Sequence, residues 1–346
     1  MSSPAFAGSQ VQVYGLLDVG VSRLSNMGGQ AIWLVDTGVQ QANRLGFRSE
    51  EDLGGGQRAL FVLESGFALD TGMLGQGGLI FGRQAWLGLQ SSYGVISLGR
   101  QYDFMVEELA NAATAANIGG LYAWHLGDVD RIAGERLNNA LKYQFKSSGG
   151  FNIGVLYSLG EVAGASQAKS GWSAGLGYSG DGFSLGLAYT QARDTSFLPF
   201  NFMGLSQFGG QSTPSGTAIA LDKTSNLGLA ATYRLGAFNL RSVLTWTRFE
   251  TANEKLDLKI YEAGLDYWLG PNLLAGFGYA YSQMAANHWH QFNMGLDYNL
   301  SKRSDVYMTY GRIDAAGGNV FGALPAQIPS STAQQAALRV GLRTKF

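Results

Sequence analysis

Arginines and carboxylates are the side chains whose types and positions suggest a chemistry for this chain. The basic candidates lie in the first half of the sequence: Arg44, Arg48, Arg58, Arg83, Arg100 and Arg136. The acidic candidates are Glu64 and four residues of one long polar segment: Glu107, Glu108, Asp128 and Asp130. Because arginine keeps its charge at any relevant pH, opposed rows of these groups would create a transverse field that orients dipolar solutes and disfavours apolar ones. Such a field selects among solutes without making or breaking a bond.

Enzymatic and cofactor chemistry has weaker support. The stretch 175–180 (Gly-Leu-Gly-Tyr-Ser-Gly) has the glycine spacing of a dinucleotide-binding loop, but that motif requires a helix at its end, and here a turn and another strand pattern follow. His288 and His290 lack the further ligand that a metal site needs. His125 would need a serine and an orienting group to converge on it in a hydrolase. We therefore predict no catalytic residue, no cofactor and no metal site.

The composition excludes several other functions. The net charge of −1 gives no bulk attraction for nucleic acid, and the absence of cysteine excludes disulfides and thiolate chemistry. Glycine is in excess, with 50 residues, roughly twice the usual share of about 7%. No apolar run approaches the roughly 20 residues of a spanning helix. If the chain crosses a membrane, it must therefore do so as a closed barrel.

A period of two runs through almost the whole chain and predicts β-strands. Residues 338–346 place Leu, Val, Leu, Thr and Phe on one face and Arg, Gly, Arg and Lys on the other. The segments 183–190, 261–269 and 291–300 alternate in the same way. The second face is rich in Gly, Ser, Asn and charged residues, as expected beside a watery lumen.

Aromatic residues recur six positions apart on the apolar face. The pairs are Phe151/Tyr157, Trp172/Tyr178, Phe183/Tyr189, Tyr261/Tyr267 and Phe292/Tyr298. Six residues of strand cover roughly 20 Å, which suits the two aromatic girdles of a transmembrane barrel with an apolar band about 25 Å tall. A soluble β-protein would show similar alternation, but the girdles favour the membrane barrel.

Seven short breaks alternate with eight longer polar segments. The short breaks lie at 52–56, 91–94, 147–150, 180–182, 235–237, 270–272 and 301–304. The longer segments lie near 26–40, 70–80, 103–135, 161–170, 193–222, 249–258, 283–290 and 314–331. This alternation predicts about 16 antiparallel strands with both termini on the short-turn side, enough to enclose a water-filled channel.

The N-terminal Ala5-Phe6-Ala7 fits the small-x-small pattern before a signal-peptidase cleavage site. We therefore interpret residues 1–7 as a signal-peptide remnant or a disordered terminus. No linker and no shift in composition divides the remainder, so residues 8–346 are predicted to form a single transmembrane barrel domain.

Several motifs, in order along the chain, resemble the general porins of Gram-negative β-proteobacteria. They are Val13–Gly20 (VYGLLDVG), Arg44–Gly56 (RLGFRSEEDLGGG), Leu63–Phe67 (LESGF), Arg83–Trp86 (RQAW), Tyr93–Gln101 (YGVISLGRQ), Asn299–Ser304 (NLSKRS) and the terminal Phe346. The resemblance covers essentially the whole chain and is strongest over residues 11–103 and 289–346.

The resemblance implies a homotrimer of 16-stranded antiparallel barrels in the bacterial outer membrane, surrounded by its lipid and lipopolysaccharide. It implies a third long loop, 103–135, folded inward to narrow each pore, with Arg44, Arg83 and Arg136 as lumen arginines at the constriction. Two departures bear on solute choice. The third loop is poor in acidic runs, and Val62 stands where many relatives carry a polar lumen residue.

The sequence thus predicts an outer-membrane porin, without enzymatic activity, that passes small hydrophilic solutes and ions by passive diffusion. The arginines predict modest selectivity for anions. The alternative is a substrate-specific uptake channel, in which loop aromatics such as Tyr122 and Trp124 form a binding station for one solute class.

Overall fold

The structure is a computed structural model that describes residues 10–318 and 320–346. Its β-strands in these ranges are β1 (Gln10–Met27), β2 (Gln30–Thr37), β3 (Arg44–Gly54), β4 (Gln57–Gly66), β5 (Gln84–Ser91), β6 (Gly94–Tyr102), β7 (Arg136–Lys146), β8 (Phe151–Ser158), β9 (Gly171–Gly180), β10 (Phe183–Phe197), β11 (Gln207–Phe208), β12 (Gln211–Ser212), β13 (Ile219–Leu235), β14 (Phe238–Glu250), β15 (Lys255–Trp268), β16 (Leu273–Met284), β17 (Asn287–Asn299), β18 (Ser304–Ala316) and β19 (Gln334–Lys345). The sequence motif Ala5-Phe6-Ala7 lies outside the described residues.

Seventeen of these strands form one sheet that closes on itself, and β11 and β12 pair separately as a small hairpin. The closure is the antiparallel pairing of β1 with β19, from Leu16↔Lys345 to Leu24↔Ala337. β2 and β3 both pair with β1, so together they make one barrel strand interrupted at 38–43. The result is a 16-stranded antiparallel barrel, and the predicted strand number is confirmed.

The two faces of the strands differ as the alternation predicts. On β19, Leu338, Val340 and Leu342 are exposed, while Arg339 between them is fully buried. Rings on the exposed face contact one another across strands, such as Phe151 with Tyr178 at 4.9 Å between centroids. Further such pairs are Trp172–Tyr189 at 4.8 Å and Phe238–Tyr267 at 4.5 Å. The apolar face therefore points away from the lumen, with aromatic rings near both ends.

Three of the eight predicted long segments are wrong, because the strands continue through them. β1 and β2 are joined at residues 28–29, β14 and β15 at 251–254, and β16 and β17 at 285–286. The sequence is polar there, but the ladder continues and its outward charges pair across it. Arg248, for example, makes two hydrogen bonds to Asp257, at 2.7 and 3.0 Å. Polarity marks the end of the apolar band in these hairpins and does not mark the end of the strand.

The third long connection, residues 103–135, contains helix α1 (Phe104–Leu109) and four 3₁₀ turns. It lies against the face of the strands opposite to the exposed apolar face, and therefore inside the barrel. Inward-facing glycines make room for it: Gly154, Gly175, Gly186, Gly228, Gly264, Gly276, Gly295 and Gly311. A Cβ at Gly175 would lie 2.6 Å from Cδ1 of Phe104, and one at Gly264 would overlap Cγ2 of Thr114. We call these eight residues the glycine track.

Helix α2 (Pro199–Met203) lies in the connection between β10 and β13, with proline in its first turn, where the missing N–H costs nothing. No helix in the ranges 10–318 and 320–346 has the length and apolarity needed to cross a membrane. A buried apolar cluster that includes Tyr122, Phe249 and Trp289 fills the space between the third loop, the connection that carries α2 and the barrel wall.

Candidate functional site

A buried ion pair joins β4 to the residue that precedes β5. Nε of Arg83 donates to Oε1 of Glu64 over 2.7 Å, and the two residues are 5% and 3% exposed. The second carboxylate oxygen of Glu64 accepts a 3.0 Å hydrogen bond from the hydroxyl of Tyr14. The side chain of Arg83 passes over Gly66, which has no side chain in its way. A Cβ on Gly66 would lie 3.1 Å from Cδ of Arg83.

The hydroxyl of Tyr102 links two of the predicted arginines. It accepts hydrogen bonds from Arg83 at 2.7 Å and from Arg136 at 2.8 Å. The Arg136 guanidinium also lies 4.6 Å from the centre of the Tyr102 ring, and its Nε donates to the carbonyl oxygen of Arg83. Tyr102 could not be predicted from the sequence, because an uncharged residue at the end of a strand carries no signal of this role.

Arg44 stands on the same wall. It pairs in register with Gly66, over which Arg83 passes, and it interacts electrostatically with both Arg83 and Glu64. Its Nε donates to the carbonyl oxygen of Ala42 over 3.1 Å. The structure thus brings together Arg44, Arg83, Arg136 and Glu64, and we call these four residues, with Tyr14 and Tyr102, the arginine cluster.

The other basic candidates bond elsewhere. Nε of Arg48 donates to Gln12 over 2.8 Å, and the guanidinium lies 5.4 Å from the centre of the Tyr14 ring. Arg58 forms an exposed ion pair with Glu50. The last of them, Arg100, donates to the carbonyl oxygen of Gly82 over 2.7 Å and to Oδ1 of Asn138 over 2.5 Å.

The acidic residues of α1 bond to the barrel wall. Glu107 pairs with Lys142 and accepts a 2.8 Å hydrogen bond from Gln144. Glu108 accepts a hydrogen bond from Asn152. Burial, together with repulsion by the neighbouring Glu107 carboxylate, raises the pKa of Glu108 to about 7. This carboxyl group therefore changes its charge near neutral pH.

The acidic residues near the end of the third loop serve the loop itself. Oδ1 of Asp128 accepts a 2.7 Å hydrogen bond from the backbone of Ala133. Asp130 contacts Nδ1 of the buried His125 at 2.6 Å, and Nε2 of the same ring contacts Glu262 on β15. Burial alone would lower the pKa of His125, but the carboxylates of Asp130 and Glu262 raise it to about 10. His125 is therefore a cation that fastens the loop to the wall.

Two further contacts strengthen this attachment. The hydroxyl of Thr245 on β14 donates to Asp130 over 2.7 Å, and the backbone N–H of Thr114 donates to Glu262 over 2.5 Å. Of the five predicted acidic partners, only Glu64 bonds to the arginines. The sequence could not reveal this division, because Lys142, Thr245 and Glu262 lie 35, 115 and 137 residues along the chain from the loop residues that they contact.

A closed barrel with an apolar outer face, a loop inside it and charges on its inner wall defines a membrane channel. Residues 1–318 match the Gram-negative porin family, and the chain belongs to this family. It is a porin of the bacterial outer membrane, and its family and fold are those of a channel and not of an enzyme.

The chain is similar to named porins along its whole length. It is 29% identical over 363 residues to outer membrane porin protein 32 of Delftia acidovorans, covering 100% of this chain and 96% of that protein. A shorter match to an outer membrane porin protein of Bordetella pertussis has 40% identity over 130 residues, which is 35% of this chain and 32% of that one. The solved anion-selective porin from Comamonas acidovorans has the same fold, with a TM-score of 0.80 at 24% identity over 98% of this chain and 100% of that chain.

Proposed function

We propose that this porin passes small hydrophilic solutes by passive diffusion and favours anions at the arginine cluster. The observation that carries the proposal is the composition of that cluster, in which three guanidinium groups accompany the single carboxylate of Glu64. A pore selects by its width and by the charge at its narrowest point. Arginine holds its charge at any relevant pH, so an excess of arginine attracts anions throughout the working range.

Cations at contact distance reduce the negative field of the third loop. Lys142 pairs with Glu107, and His125 offsets one of the two carboxylates, Asp130 and Glu262, that enclose it. A carboxylate with a cation at contact distance contributes a weak field at a distance, because the two opposite charges nearly cancel. Similarity to a protein described as an anion-selective porin agrees with this charge distribution.

We also propose that the working form is a homotrimer. The aromatic pairs spaced six apart all fall between residues 151 and 298, which supports girdles, and so contact with outer-membrane lipid and lipopolysaccharide, on that sector. The remaining sector presents mainly exposed aliphatic side chains: Val11, Val13, Leu87, Leu89, Ile96 and Leu98. A mainly aliphatic outer surface suits contact with another copy of the chain. The protein mass of the detergent-solubilised particle tests the proposal, since a single-chain mass contradicts it.

The selectivity proposal is tested by the reversal potential of the purified protein in a planar bilayer across a tenfold KCl gradient. We expect stepwise conductance with a reversal potential displaced toward the chloride equilibrium potential. Arg83→Gln should move that potential toward potassium, whereas the matched change Arg303→Gln, in a short turn outside the cluster, should leave it in place. A cation-selective wild-type channel would overturn the assignment of the arginines and transfer control to the acidic residues.

A further inference from the structure

An apolar patch faces the lumen on the short-turn side of the arginine cluster. Leu60 and Val62 alternate along β4 on the same face as Glu64, and Val62 pairs in register with Trp86 on β5. All three apolar side chains are partly exposed. The lumen face of a channel barrel is ordinarily polar, so apolar side chains in contact with its water call for a physical role.

The indole ring of Trp86 has a fixed orientation, and one side of it is accessible from the lumen. Its Nε1 donates to Oε1 of Gln84 over 3.1 Å, which fixes the orientation of the ring. Its register partner on β6 is Gly99, and the next inward position on β5 is Gly88. Neither glycine has a side chain to cover the ring, so a flat solute can reach it.

An uncompensated positive charge adjoins this patch. Arg48 pairs in register with Val62 on the side opposite to Trp86. Its hydrogen bond goes to a neutral partner, Gln12, and no ion pair of Arg48 occurs within residues 10–318 and 320–346. The nearest carboxylate along the strand, Glu50, is already paired with Arg58. Arg48 is therefore available to an incoming anion.

These groups line one cavity of about 850 Å³, which contains Gln12, Arg48, Glu50, Leu60, Val62 and Trp86. Arg48 and Trp86 lie on β3 and β5 with β4 between them, so their backbones are about 10 Å apart. This separation suits a single small solute with a carboxylate at one end and an apolar ring at the other.

We propose that this cavity is a binding station for aromatic carboxylates, with the carboxylate on Arg48 and the ring against Trp86 and Val62. The inference rests on the proposed function, because the station serves solutes that travel through the same lumen. It adds a preference for a ring to the preference for negative charge at the arginine cluster. It lies on the side of the short turns, which in such barrels is the periplasmic side.

The test uses benzoate as the probe, with two matched compounds that each lack one feature. Acetate has the carboxylate without the ring, and benzyl alcohol has the ring without the charge. The current through single channels in symmetrical KCl is recorded while each compound is added on either side of the bilayer. We expect a saturable block by benzoate, at lower concentration than by acetate or benzyl alcohol, and at lower concentration from the short-turn side than from the opposite side.

Variants assign the block to the station. Trp86→Ala should raise the half-blocking concentration of benzoate roughly threefold to tenfold, the worth of one aromatic contact, whereas Trp86→Phe should retain the block. Arg48→Gln should raise it about tenfold, the worth of a hydrogen bond to a charged group. Arg303→Gln removes a positive charge from a short turn on the same side of the membrane, and it should leave the block unchanged.

In a channel that conducts, equal block by benzoate and acetate would refute the station. A benzoate block of the same strength in Trp86→Ala as in the wild-type protein would refute it as well. Equilibrium dialysis of labelled benzoate against the folded protein in detergent measures binding to the station directly and requires no ion current. Binding that is lost in Trp86→Ala supports the station even if conductance fails, and such a failure would count against the proposed function alone. Absence of binding to the wild-type protein refutes the station.

Discussion

The Nε atom of Arg83 lies 2.7 Å from a carboxylate oxygen of Glu64, and both residues are almost completely removed from solvent. The pair joins two inner-wall positions that are 19 residues apart in the chain. Its carboxylate is the one acidic side chain within the arginine cluster, so it limits how strongly the cluster attracts anions.

Glu64→Gln should therefore increase the preference for anions. The amide keeps a hydrogen-bond acceptor for Arg83 and removes the negative charge. We expect the chloride-to-potassium permeability ratio to rise about tenfold, because removing one unit charge about 6 Å from the ion path in water changes the energies of the two ions by about 0.7 kcal/mol each, in opposite directions. The measurement is the reversal potential across a KCl gradient. Glu51→Gln, at an exposed position near the turn after β3, is the control and should change nothing; a fall in the ratio for Glu64→Gln would contradict the assignment.

The anion preference should also depend on pH through Glu108. Its pKa of about 7 results from burial and from repulsion by Glu107, opposed by Lys146, Lys142 and a hydrogen bond from Asn152. Below pH 6 the carboxyl group is mostly neutral, and above pH 8 it carries a negative charge inside the barrel. We therefore expect the reversal potential to move toward potassium as the pH rises from 6 to 8. Glu108→Gln should abolish this change, and a pH dependence that persists in the variant would assign it to another group.

The glycine track predicts that small additions to the wall will dislodge the third loop. Gly264→Ala places a methyl group where Cγ2 of Thr114 now lies, and overpacking of this kind costs about 1–3 kcal/mol. We expect a lower midpoint of unfolding in urea and noisier open-channel currents. Gly318→Ala is the matched control, because no atom beyond its chain neighbours lies within 4 Å of its added Cβ and its φ is outside the left-handed region that disfavours a side chain. Equal behaviour of the two variants would contradict close packing of the loop.

The attachment through His125 should fail when a partner is removed. Glu262→Gln takes away one of the two carboxylates that contact the buried ring, and breaking a buried ion pair in this way costs about 3–5 kcal/mol. The expected result is faster cleavage by trypsin after Arg131, within the loop. Glu254→Gln, in the exposed connection between β14 and β15, provides the comparison and should be cleaved at the wild-type rate.

The stability of the loop attachment through His125 should also depend on pH. Because the folded-state pKa of His125 is raised from 6.5 to about 10, its stabilising contribution is fully present below about pH 6.5. It is lost as the pH rises through 10, where the ring becomes neutral. Trypsin susceptibility of the loop in the wild-type protein should therefore increase above pH 10. An equal increase in His125→Asn would show that other groups are responsible.

Alternation, aromatic spacing and the count of breaks in the sequence were sufficient to predict the barrel and its 16 strands. These signals are local, because each depends on residues within one strand or on the polarity of one connection. The same local signals misplaced the hairpin near residue 28, since polar strands that extend beyond the membrane resemble loops in a sequence.

Pairings between distant segments were beyond the reach of the sequence. Nothing local to Gly264 indicates that Thr114 will cover it, and nothing local to Asp130 indicates that Thr245 will donate a hydrogen bond to it. For the same reason the acidic residues of the third loop were counted as partners of the arginines. The sequence identified Arg83 and Glu64 as opposed charges of the pore without pairing them, and it missed Tyr102 because only the tertiary fold brings its hydroxyl between two guanidinium groups.

The glycine track also determines which side of the lumen the third loop occupies. Side chains of the loop touch the wall at glycines from β8 to β18. None of these eight glycines lies on β3, β4 or β7, the strands that carry Arg44, Glu64 and Arg136. The loop therefore narrows the lumen asymmetrically, and the packing of the loop and the charge of the arginine cluster can be changed on different strands.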